Sequence, residues 1–211
     1  EVRRFLSEGV AEAITRAETV VEAGQAVERE AAILMLDIRG FTRFSTTVPP
    51  KDVVQVLTSF HGRVVPLIQR HGGVIDKFLG DGVMATFGAV EVSQTAAADA
   101  IRALEAILVE GERWHETLVS RGISTPLAVN GAVAAGPVVF ATLGSGDRLE
   151  YTVIGEAVNL AAKLEKHNKA EGTRALVVTQ TYERAVAQGY TPDPTHVRRP
   201  GAQVAGAVDP I

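Results

Sequence analysis

The sequence predicts an α+β fold in which a mostly antiparallel sheet carries helices on one face. Three observations predict it. Runs with strand character and runs with helical period follow one another as strand, helix, hairpin, helix, strand, then a further hairpin and helix. Gly80-Asp81-Gly82 sits between two β-rich runs, and Asp-Gly in that setting is a strong hairpin signal. A chain of 211 residues that is 46% hydrophobic can bury one substantial core, so a separate second domain is not expected.

Taken in order, Val2, Phe5, Leu6, Val10, Ala13, Ile14 and Ala17 recur at helical spacing. A helix there would serve packing or dimer formation, or would carry a signal from an upstream element. Gly24 to Glu30 reads as a polar connector, so residues 1–30 form a leading segment and 31–211 the main domain. Ala31 to Ile38 is a buried-strand pattern containing Asp37, and Gly40 then lets the chain turn. Pro49-Pro50 opens a helix with Val53, Leu57, Phe60, Val64 and Leu67 on one stripe, with Pro66 expected to kink it. Gly72-Gly73 ends that helix.

The hairpin of residues 74–88 follows. Strict alternation puts Ile75, Lys77 and Leu79 on one side and Val74, Asp76 and Phe78 on the other. Residues 92–119 read as a helix with Ala96, Ala100, Leu104, Ile107 and Leu108 inward and Trp114 as packing. A strand starts at Pro126 and stops at Gly136-Pro137. Val138–Leu143 and Leu149–Val153 make a hairpin around Gly144-Ser145-Gly146. A helix over 156–167, a short strand over 174–178 and a helix over 179–187 complete the order. This is a ferredoxin-like βαββαβ sandwich with extra C-terminal strands and helices.

Composition limits the function. A net charge of −4 argues against nucleic acid or an anionic membrane as the main partner. With no cysteine there is neither a disulfide framework nor a thiolate metal site, which fits a cytoplasmic location. No run reaches the roughly 20 apolar residues of a membrane span, and no signal peptide is visible. A first residue other than Met and an end in a strand-like pattern suggest a fragment, so a sensor or membrane tether outside it is compatible. Phosphate-binding G-x-x-x-x-G-K-[ST] and G-x-G-x-x-G loops are missing, and the five His residues lack zinc-site spacing.

Two carboxylates, Asp37 and Asp81, each close an apolar strand and could converge on a hard cation such as Mg²⁺. Either one alone is equally well read as a turn or cap residue. Three blocks in sequence, LDIRGFTRFS, DKFLGDGVMATFG and YTVIGEAVNLAAKLE, resemble the catalytic domain of the class III nucleotidyl cyclases, the adenylate and guanylate cyclases. The resemblance covers about residues 30–211.

The resemblance implies that Asp37, Asp81 and the carbonyl of Ile38 bind two Mg²⁺ or Mn²⁺ ions. The turn Ile38-Arg39-Gly40-Phe41-Thr42 could offer backbone N–H groups to the β- and γ-phosphates of a nucleoside triphosphate, with Gly40 allowing close approach and Phe41 also packing in the core. Lys77 would read the base. Adenine N1 accepts a hydrogen bond and guanine N1 carries a hydrogen, so Lys points to ATP where guanylate cyclases carry Glu. Thr152 would be its partner against the adenine amino group. Asn159 would hold the ribose and Lys163 the transition-state phosphate.

Two positions depart from the family. Lys163 stands where Arg is usual, keeping the charge and losing the planar fork. Ala205 aligns with a terminal cation that binds the triphosphate, for which Arg198 or Arg199 could substitute, unless they form a solvated pair. In this family the site forms between protomers, with Asp37 and Asp81 from one and Lys77, Thr152, Asn159 and Lys163 from the other. One chain carries both sets, so a homodimer would hold two sites. The expected function is adenylate cyclase, converting ATP to cyclic AMP and pyrophosphate for intracellular signalling. The alternative is a cyclase-like regulatory or nucleotide-binding module with little turnover.

Overall fold

A computed structural model describes residues 26–145, 148–201 and 204–205, with backbone alone for 144, 145 and 148–150. The helix expected over residues 2–17 lies outside the described residues. The elements are β1 (Ala26–Arg39), α1 (Phe41–Thr47), α2 (Pro50–Arg70), β2 (Val74–Leu79), β3 (Gly82–Phe87), α3 (Ala96–Ser120), β4 (Ala128–Ser145), β5 (Arg148–Ile154), α4 (Glu156–Glu171), β6 (Ala175–Val177) and α5 (Thr179–Ala187). The sheet runs β2-β3-β1-β4-β5, and β6 joins β4. Its pairings are antiparallel except β4 with β6. With α1 as an insertion, β1-α2-β2-β3-α3-β4 is the expected βαββαβ unit.

Both faces of the sheet are covered, which corrects the expectation of helices on one face. On the first face Leu34, Leu36 and Ile38 of β1 pack with Phe60 and Ile68 of α2, Leu104, Ile107 and Trp114 of α3, and Ala185 of α5. On the second face Ala31, Ile33 and Met35 pack with Met84 of β3, Ala132 and Ala134 of β4, and Ala157, Ala161 and Leu164 of α4. The unbroken apolar run Ala31–Leu36 carries that signal, because a strand covered on one side alternates and a strand covered on both does not. Trp114 packs as expected, 1% exposed with its Nε1 donating to Ser59 Oγ at 3.1 Å.

Two strands are longer than the sequence suggests. Ala26–Glu30 is no connector: it is the outer part of β1, mostly exposed and paired with Pro137–Ala141. Strand β4 runs through Gly136-Pro137 without a break. Proline lacks an N–H and is tolerated where a strand needs no donor. Pro137 lies between the stretch of β4 paired with β6 (131–133) and the stretch paired with β5 (139–145), so its donorless side faces no neighbouring strand. Pro66 lies inside α2 near its end, and α2 stays one helix.

Candidate active site

The site lies on the second face, at the end of β1. Asp37 follows Met35 on that face and sits opposite Asn130 of β4. Asp81 comes from the β2–β3 turn, where Leu79 pairs with Gly82 and leaves Gly80-Asp81 as the two loop residues. A Cβ on Gly82 would lie 2.8 Å from the Leu36 carbonyl, so glycine lets this turn press against β1. The two carboxyl groups are hydrogen-bonded to each other. Burial, then that bond, then the charges of Asp81 and Glu165 push the Asp37 carboxyl up to about 7, against a backbone hydrogen bond at Ile38. Two half-buried carboxylates that close need a proton or a cation between them. An all-oxygen donor set of this kind suits a hard divalent cation.

Lys77 reaches the same face through a β-bulge. The β2–β3 register shifts between Ile75 and Lys77. Ile75 therefore pairs with Ala85 in the first-face core, whereas Lys77 pairs with Met84 in the second-face core. The alternation that put Ile75 and Lys77 on one side fails here, because a bulge adds a residue and reverses the facing beyond it. Phe78 turns to the first face, its ring 4.3 Å from that of His61. Lys77 Nζ donates to Thr152 Oγ1 at 2.9 Å and lies 3.2 Å from Asp76 Oδ2. An ammonium has three donors, of which Thr152 takes one. Thr152 is 9% exposed.

Gly40 caps α1 with φ 87°, and a Cβ there would lie 2.5 Å from the Pro126 carbonyl. Both the backbone angle and the space demand glycine. Phe41 is half-buried against the first-face core and Thr42 is exposed. A cavity of about 660 Å³ lined by Arg43, Asp52, Val56 and Arg121 opens beside α1 and α2, and none of Asp37, Lys77, Asp81 or Thr152 lines it.

The profile of the family described as adenylate and guanylate cyclase catalytic domain matches residues 24–201. The chain belongs to this family. Among solved structures it resembles the guanylyl cyclase Cya2, at 30% identity and TM-score 0.75, over 90% of this chain and 91% of that one. It also resembles the adenylyl cyclase CyaB from P. aeruginosa, at 24% identity and TM-score 0.76, over 88% of this chain and 92% of that one. Uncharacterized proteins of Mycobacterium tuberculosis and Mycobacterium bovis are 35% identical over 158 residues, 75% of this chain. The cyclase domain spans 28% of the length of these relatives.

The remaining candidates lie on α4 and beyond α5. Asn159 is exposed and Lys163 half-buried, four residues apart on one flank of α4. Glu165 lies two residues beyond Lys163, about 200° further around the helix, and faces Asn130, Arg39 and Asp81. Arg198 and Arg199 form exposed ion pairs with Glu183 and Glu171. Ala205 is exposed.

Sequence reasoning missed Asn130 and Glu165. Asn130 is 4% exposed, and its Oδ1 is buried without a hydrogen-bond partner. A lone amide within the apolar run Leu127–Val133 was the available signal. Glu165 carried no such signal, because charges surround it in KLEK. Burial raises its carboxyl, while the hydrogen bond with Asn130 and the charges of Lys166 and Arg39 lower it. Among the described residues no helix is long and apolar enough to cross a membrane.

Proposed function

We propose that this domain is an adenylate cyclase that converts ATP to 3′,5′-cyclic AMP and pyrophosphate as a homodimer. The observation that carries the choice of ATP is the Lys77–Thr152 hydrogen bond. A lysine donor suits adenine N1 and repels the N1–H of guanine. The threonine hydroxyl, already accepting from Lys77, can turn toward the adenine amino group.

In this reading Asp37, Asp81 and the Ile38 carbonyl hold two Mg²⁺ or Mn²⁺ ions. Bound there, such ions acidify the ribose 3′-hydroxyl and neutralise charge on the phosphates. The 3′-hydroxyl gives its proton to solvent, its oxygen bonds to the α-phosphorus as the bond from that phosphorus to the bridging oxygen breaks, and pyrophosphate leaves. The chain's own groups position and stabilise. Backbone N–H groups of Gly40-Phe41-Thr42 face the outer phosphates. Asn159 of the second protomer fixes the ribose, and its Lys163 places a positive charge beside the transition-state phosphate.

The deciding experiment supplies ATP or GTP, with Mg²⁺ or Mn²⁺, to the purified domain across a dilution series. Cyclic AMP from ATP, with specific activity falling on dilution, is expected. Cyclic GMP as the main product would overturn the base assignment. A second reading, a nucleotide-binding module with little turnover, is favoured by Lys163 and Ala205. Under the first reading, Lys163→Arg with Ala205→Lys raises turnover. If both variant and parent bind ATP and dimerise without product, the second reading stands.

A further inference from the structure

Helix α4 is fixed to β4 at a defined height. The Asn168 amide donates to the Gly131 carbonyl at 3.0 Å, and its Oδ1 accepts from the Thr173 hydroxyl at 2.9 Å. Glu165, nearly one turn earlier on the same helix, lies within hydrogen-bonding reach of Asn130, the neighbour of Gly131. Asn130 is in turn the cross-strand partner of Asp37. Glu165 and Asp37 therefore both border Asn130. Lys166 and Arg39 are the nearby cations, and the Arg39 guanidinium donates to the Thr173 carbonyl at 2.8 Å. Among the described residues Glu165 forms no ion pair. Nor is any group of three acidic or histidine side chains among them arranged to hold one ion together. Glu165 thus stands outside the pair, with Asn130 as a neighbour in common with Asp37.

We propose that Glu165 is a positioning residue: through Asn130 it orients Asp37, and its charge draws a divalent cation to the Asp37–Asp81 pair. This rests on the cation reading above. The charge has two effects of opposite sign. With a cation present it adds attraction. Without one it adds further negative charge to a half-buried acidic site and destabilises the metal-free fold. A residue that merely tethers α4 has neither effect.

Glu165→Gln separates these roles, because Gln keeps the volume and can still accept from Asn130 while losing the charge. The measurements are Mn²⁺ binding, read by the spin resonance of the free ion in the presence of 3′-deoxy-ATP, and the melting temperature without metal. The expected result is Mn²⁺ affinity lower by about tenfold together with a higher metal-free melting temperature. Asn130→Ala should weaken Mn²⁺ binding too, and combining it with Glu165→Gln should cost less than the sum of the two. Unchanged Mn²⁺ affinity in Glu165→Gln overturns the inference while leaving the cation reading intact. A lower metal-free melting temperature in Glu165→Gln also overturns it, by making Glu165 a tether. A parent protein that binds no Mn²⁺ overturns both.

Discussion

The two faces of the sheet are built from different materials. The first face holds the large side chains, with Trp114, Phe44, Phe60, Phe87 and Leu104 nearly or fully buried beneath α2, α3 and α5. The second face has α4 over it and is largely alanine, valine and methionine, with Asn130 among its buried polar groups. Hydrophobic stabilisation scales with buried apolar area, so most of it resides on the first face. The second face uses small side chains to bring backbone and polar groups close, and Asp37 and Lys77 lie there. Most of the core and the candidate site are thus separated by the thickness of one sheet.

That separation can be broken from either side. The largest effect is expected from Trp114→Ala, which should cost about 3–5 kcal/mol in denaturant unfolding, with the surviving folded fraction keeping its cyclase activity per folded molecule. Asp37→Asn should do the reverse, lowering turnover by about 100-fold or more while the metal-free melting temperature rises. A drop in stability as large as that of Trp114→Ala would mean that the second face also carries the fold.

A smaller effect concerns pH. The Asp37 carboxyl sits at about 7 in the fold against 3.8 in an unfolded chain. A group raised by folding stabilises the fold when protonated, so its contribution is full below about pH 4 and is lost as pH rises through 7. The metal-free melting temperature should therefore fall between pH 5 and pH 8, and Asp37→Asn should flatten that slope. An equal slope in the variant would assign the effect elsewhere. The smallest change is expected from Arg198→Ala, because its ion pair with Glu183 is exposed and such pairs contribute about 0–1 kcal/mol. Near-parental affinity for ATP would show that Arg198 does not replace the cation missing at Ala205.

Much of this contrast was legible in the sequence, and the failures have physical causes. The order of elements, the Gly80-Asp81 turn and the helical stripes follow from short-range chemistry. The bulge at β2 does not, because a period of two holds only while each residue has one partner across the ladder, and the sequence around Asp76 does not show where that fails. Ala26–Glu30 reads as connector since its charges face solvent, yet its backbone pairs fully with β4. The acidic residues Asp37 and Asp81 were found through motifs. Glu165 and Asn130 were not, because their meaning comes from α4 lying over β4, a tertiary contact.

The length of β1 has a mechanical consequence. Its 14 residues all pair with β4, and at roughly 3.3 Å per residue that pairing extends over about 45 Å. A strand so engaged cannot creep along its axis, since the next register that keeps the same side chains on each face is two residues away. Force arriving at Ala26 therefore cannot reach Asp37 as a graded sliding motion. Any displacement of β1 carries β4 with it, because the two are paired at every residue of β1.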